Sequence, residues 1–130
     1  MKPVTPLLTV DAIILIDDKV LLIERKNEPL GWALPGGFVD VGETVENALK
    51  REVKEEVSLD VTDMSLFGVY SDPSRDSRGH TVSIVYHAQT TGQAAAADDA
   101  KAVKLFGINE LPENIAFDYS TILSDFIMSM

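Results

Sequence analysis

The stretch from Thr44 to Val57 constrains this chain more than any other. On a wheel at roughly 100° per residue, Val45, Ala48, Leu49, Val53 and Val57 fall in one arc about 180° wide. That is the stripe of a helix with one face on a core. Glu52 and Glu56 land between Ala48 and Leu49, near the centre of the same arc. Glu55 lies just past its edge, Glu46 falls near it at the first turn, and Arg51 and Lys54 point away. A Glu-rich helix is ordinarily a solvated face, and at Glu46 a helix N-terminus favours a carboxylate anyway. Carboxylates aimed at other protein are a different matter, because burying them without partners is costly.

Glu52, Glu55 and Glu56, at i, i+3 and i+4, are expected to converge over one helical turn. Their mutual repulsion makes structural sense if a cation neutralises it. Oxygen-only ligands of that charge suit a hard cation, Mg²⁺ or Mn²⁺, rather than zinc. The whole chain points the same way. Its 21 acidic residues against 11 basic give a net charge of −10, a surface that repels a nucleic acid backbone. A small phosphorylated substrate remains open to such a protein if divalent cations bridge its carboxylates to phosphate oxygens.

At 130 residues the chain is long enough for one real core, and it reads as a single domain, 1–130. No apolar run reaches membrane-spanning length, and the first residues lack the pattern of a secretory signal. Without cysteine, neither disulfides nor thiolate metal sites are available. A cytoplasmic protein that binds no membrane is expected.

Val10 to Ile16 and Val20 to Arg25 read as a hairpin across Asp17-Asp18-Lys19. An irregular segment, Lys26 to Leu34, leads to a turn at Pro35-Gly36-Gly37 and a short extended piece, Phe38 to Val41. Beyond the helix, Val61 and Leu66 to Tyr70 suggest one strand, and further strands are expected at His80 to Ala88 and Val103 to Ile108. Asp72 to Gly79 reads as a polar loop, Thr90 to Ala100 as a mobile one, and Phe117 to Met128 as a closing helix. This mixture around one core predicts a mixed α/β or α+β domain.

Gly37, five residues, Glu43, seven residues, then Arg51-Glu52-Val53-Lys54-Glu55-Glu56-Val57-Ser58-Leu59 resembles the signature of the Nudix hydrolases. Every position matches except Ser58, where that family usually has glycine; chance agreement is on the order of 10⁻⁷ to 10⁻⁸ per start position. Ser58 stands where the helix should end, so the departure costs a little backbone strain and no ligand. The resemblance implies a loop–helix–loop held against a mixed sheet in an α/β/α sandwich. It implies that Glu52, Glu55, Glu56 and the Gly36 carbonyl hold the metal. Arg51 and Glu43 would form a supporting pair that orients those carboxylates. The implied reaction is attack of an activated water on a phosphorus of a diphosphate. Glu56 or Glu52 would take the proton, with Asp98 or Asp99 as the rival.

The segment Tyr70 to His80, with Asp98-Asp99-Ala100 and Ala116 to Tyr119, resembles small ADP-ribose pyrophosphatases within that family, with Ser77 where proline is usual and Tyr119 where histidine is frequent. The substrate implied is ADP-ribose, cleaved to AMP and ribose 5-phosphate. Another nucleotide sugar, an oxidised nucleoside triphosphate, or a non-catalytic nucleotide-binding module are the alternatives. Arg75 and Arg78 suit phosphates, and Arg–Asp pairing within the loop is the competing reading. Asp99 and Tyr119 complete the expected substrate contacts, while Phe117 and Trp32 are expected to pack. Relatives often form homodimers, and the sequence leaves this chain's oligomeric state open.

Overall fold

The computed structural model describes residues 2–96 and 100–130. Two strands open it, β1 (Leu7–Ile16) and β2 (Lys19–Arg25). The expected hairpin joins them: Asp17 and Asp18 both adopt positive φ, 52° and 61°, and Ile16 pairs with Lys19. Positive φ at both central residues is what a two-residue hairpin turn needs, and aspartate tolerates it better than most side chains.

Two short strands follow, β3 (Trp32–Ala33) and β4 (Gly36–Phe38). The Gly-Gly pair was expected to turn. Instead it runs as a strand antiparallel to β1, with Asp11 opposite Gly36 and Val10 opposite Gly37. The glycines are needed for closeness: a Cβ on Gly36 would lie 2.1 Å from the Val10 carbonyl oxygen.

Helix α1 (Val45–Val57) starts on Thr44, whose hydroxyl accepts the Asn47 N–H. It ends at Ser58, in the left-handed conformation at φ 63°, with its N–H returned to the Lys54 carbonyl. Ala48, Leu49, Val53 and Val57 are buried as the wheel requires.

Strand β5 (Asp60–Tyr70) takes in Val61 and Leu66 to Tyr70 as expected, and β6 (Thr81–Thr91) pairs with it along its length with two register shifts. Strand β7 (Ala100–Gly107) pairs with β2, so both ends of the expected Thr90 to Ala100 loop belong to strands. Asp98 and Asp99 lie outside the described residues. Helix α2 (Tyr119–Met128) closes the chain.

The sheet is mixed, since β1 runs parallel to β6 and antiparallel to β2 and β4. Alternation along β1 and β6 sorts its faces. Tyr86 faces Glu46 on the α1 side, whereas His87 meets Phe126 of α2 with ring centroids 4.9 Å apart. One helix therefore covers each face, the expected α/β/α sandwich.

Candidate active site

Strand β4 passes beside the last turns of α1, and the two are locked by the glutamates. Gly36 donates its N–H to Glu56 Oε1 at 2.8 Å. A Cβ on Gly37 would lie 2.5 Å from the Glu52 carboxyl carbon, so only glycine leaves that carboxylate its place. Both glutamates are desolvated. Burial pushes Glu56 up to about 8, with the negative charges of Glu52 and Asp11 adding to it and the Gly36 N–H opposing. Glu52 is also raised by burial, opposed by its hydrogen bond from Arg51.

Arg51 points along the helix rather than away from the site. Its Nε and Nη2 grip Glu43 at 2.7 and 2.8 Å, Nη1 reaches Glu52 at 2.8 Å and Glu55 at 3.4 Å, and Nη2 also donates to the Phe38 carbonyl. The arginine holds the Glu43 carboxyl down at about 2. Glu43 in turn accepts the Asp40 N–H, so the loop before the helix is fastened to its middle.

Among the described residues, no three carboxylates or imidazoles close into a ready metal cage. The expected convergence of Glu52, Glu55 and Glu56 is thus looser than the wheel suggested. Three like charges on one turn repel, and each finds its own donor: Arg51 for Glu52 and Glu55, Gly36 for Glu56. Their donor set still suits a hard cation. All three line a cleft of about 460 Å³, with Gly36 beside them and neither cysteine nor histidine among its walls.

Sequence reasoning missed Asp11. It is 2% exposed on β1, accepts hydrogen bonds from the Ser83 and Tyr119 hydroxyls (the latter at 2.7 Å), and lines the cleft. Burial pushes its carboxyl up to about 7. The signal was present: one charged residue in an otherwise apolar strand, Val10 to Ile16, repeats the anomaly of glutamates in an apolar arc.

Tyr119, Arg75 and Arg78, the described residues among the expected substrate contacts, all line the cleft. Tyr119 is 7% exposed with its hydroxyl on Asp11. Phe117 packs partly buried against the core as expected and also lines the cleft, with the Arg25 and Arg78 guanidinium carbons 4.9 and 5.1 Å from its ring centroid. Arg75 borders the cleft, but its guanidinium is committed to the fold. Nε and Nη2 bind Asp118 at 3.0 and 2.8 Å, and Nη1 donates to Thr81 at 2.7 Å. Arg78 is half-exposed in the cleft wall and paired with Asp76 through two charged hydrogen bonds. Arg–Asp pairing therefore describes both arginines, although Arg75 reaches beyond its loop for its partner. Asp99 is outside the described residues. Trp32 packs edge-on against Phe106, and His80 bonds the Ser71 carbonyl.

Residues 5–126 match the NUDIX domain family. The chain is 50% identical to an ADP-ribose pyrophosphatase of Methanocaldococcus jannaschii over 94% of its own length and 73% of that protein's. Among solved structures it resembles a MutT NUDIX hydrolase from Burkholderia pseudomallei (TM-score 0.86, 30% identity, 93% of this chain and 98% of that one). It also resembles the NUDIX domain of Shewanella oneidensis NrtR complexed with ADP ribose (TM-score 0.82, 31% identity, 96% and 88%). A MutT/nudix family protein from Enterococcus faecalis gives a TM-score of 0.86 at 32% identity, this chain covering 62% of its length. A glycine-backed glutamate helix matching the family signature at all but Ser58, on a fold shared with these proteins, makes the chain a member of the Nudix family.

Proposed function

We propose that this protein is a divalent-cation-dependent hydrolase that cleaves the diphosphate linkage of ADP-ribose, giving AMP and ribose 5-phosphate. The observation that carries the chemistry is the pair of desolvated carboxylates, Glu52 and Glu56, fixed against Gly36 and Gly37 in the cleft. The 50% identity across nearly the whole chain to an ADP-ribose pyrophosphatase supports the substrate.

In this reading Glu52, Glu55, Glu56 and the Gly36 carbonyl hold Mg²⁺ or Mn²⁺. Bound there, the cation neutralises phosphate oxygens and lowers the pKa of a water. Arg51, anchored on Glu43, keeps Glu52 and Glu55 turned to the cleft; it is a positioning residue. Glu56 or Glu52, the two carboxylates fixed against Gly36 and Gly37, takes the proton of that water. Residues 1–130 act as one domain in the cytoplasm. A homodimer fits the edge strand β5, which exposes Leu66 and Val69.

A second reading keeps the chemistry on an oxidised nucleotide. The chain is 44% identical to the human 8-oxo-dGDP phosphatase, but over only 58% of its length and 22% of that protein's. The longer match favours ADP-ribose. Initial rates on ADP-ribose, other nucleotide sugars and oxidised dGTP, with Mg²⁺, decide between them. We expect the highest kcat/KM on ADP-ribose; equal or higher values on oxidised dGTP overturn the substrate assignment.

A further inference from the structure

We propose that Asp11 is a positioning residue of the cleft: its carboxylate fills the space where Gly36 lacks a side chain, and so sets the place of Glu56. The role rests on the hydrolase reading above. Asp11 and Gly36 face each other across the ladder between β1 and β4. A Cβ on Gly36 would lie 2.5 Å from Asp11 Oδ1, so that oxygen already occupies the space beside the glycine Cα. Gly36 gives its N–H to Glu56 Oε1 at 2.8 Å. One residue thus abuts a carboxylate at its Cα and holds another with its amide, and a movement of the first is passed to the second.

Asp11 is in turn fixed by the sheet and by α2. Alternation along the parallel strands β1 and β6 sets Thr9, Asp11, Thr81 and Ser83 on one face, and all four are buried. Thr9, Asp11 and Thr81 line the cleft, so this row is its polar floor. Ser83 donates its hydroxyl to Asp11 Oδ2, and Tyr119 donates to Oδ1 at 2.7 Å. Tyr119 is the first residue of α2 and follows Asp118, which Arg75 grips through two hydrogen bonds. Arg75 also donates to Thr81 of the floor. The start of α2 is therefore clamped to the floor twice, and the Tyr119 clamp ends on the oxygen that abuts Gly36. An apolar side chain would pack the middle of a sheet without the desolvation that a carboxylate costs. What the carboxylate adds at Asp11 is a direction: two hydroxyls hold it at fixed orientation against the backbone that carries Glu56.

The test follows the Gly36 amide by nuclear magnetic resonance in metal-free protein, and turnover with Mg²⁺, in Asp11→Ala, Asp11→Asn, Tyr119→Phe and Tyr70→Phe. Asparagine keeps the shape of Asp11 and an oxygen to face Tyr119. Tyr70→Phe is the control, since it also removes a tyrosine hydroxyl from a carboxylate, that of Asp125, without touching Gly36. Hydrogen exchange at Gly36, taken relative to buried Val53 of α1, should rise about tenfold in Tyr119→Phe and Asp11→Ala and barely change in Tyr70→Phe. On whichever diphosphate the wild type turns over fastest, kcat should fall about tenfold in the same two variants while KM stays within about threefold. Asp11→Asn should recover most of both losses. If Asp11→Ala does not fold, Tyr119→Phe carries the test. A Tyr119→Phe protein whose Gly36 amide is unmoved, or one that raises KM alone, overturns the proposal. So does an Asp11→Asn enzyme as slow as Asp11→Ala, which would make charge rather than position the requirement. If ADP-ribose is not the preferred substrate but the amide and kcat still move together, the substrate reading fails and the Asp11 assignment stands. If the wild type hydrolyses no diphosphate, both fall.

Discussion

Glu56 is 8% exposed and its carboxyl is raised by burial to about 8, well above an unfolded glutamate. A carboxyl raised on folding contributes stability below its unfolded pKa and loses it as pH climbs through the folded value. Asp11, raised to about 7, works in the same direction. In chelator the wild-type melting temperature should therefore fall between pH 5 and pH 9, and Glu56→Gln should fall less. Parallel curves would contradict the burial argument. Gly37→Ala probes the neighbouring carboxylate: a Cβ 2.5 Å from the Glu52 carboxyl carbon must displace it. Activity should drop about tenfold or more while the far-ultraviolet circular dichroism is unchanged; an alanine variant of full activity would show that Glu52 has freedom to spare. Glu52 and Glu56 were readable from the wheel because helix geometry fixes direction within one element. Arg25 and Phe117 were not, since their meeting depends on a contact between β2 and the approach to α2, which no local period encodes.

Elements meet here through a few specific ties. The Asp72 to His80 segment is joined to the start of α2 by Arg75, whose side chain is 3% exposed, and Asp118. Removing one partner of such a pair strands the other charge, so Arg75→Ala should cost roughly 3 kcal/mol in chemical denaturation; a loss under 1 kcal/mol would make the tie peripheral. At the end of α1, Ser58 holds a left-handed φ that glycine would adopt without a Cβ clash. Ser58→Gly should gain about 0.5–1 kcal/mol with kcat unchanged, and a destabilised variant would contradict the strain assigned to that cap. The helix and the β1–β2 hairpin were legible because capping, apolar period and turn residues are local. Strand β4 was not: Pro35-Gly36-Gly37 carries turn chemistry, and its pairing with β1 is imposed by a strand more than twenty residues earlier.

Taken whole, the molecule carries a net charge of −10 and a cleft walled by glutamates, and it belongs to a family whose signature those glutamates match. Among the described residues no helix is long and apolar enough to cross a membrane. A cation that binds only the folded chain stabilises it by mass action, about 2.7 kcal/mol at a hundredfold excess over Kd. Mg²⁺ or Mn²⁺ should therefore raise the melting temperature of the wild type and do so far less for Glu56→Gln. The central claim is that these carboxylates drive diphosphate hydrolysis. It is tested most directly by following AMP and ribose 5-phosphate release from ADP-ribose, with Mg²⁺, by the wild type and Glu56→Gln side by side. The expected result is both products from the wild type and a rate at least about a hundredfold lower from the variant. A variant within a few-fold of wild type, or a wild type that leaves ADP-ribose intact, would contradict it.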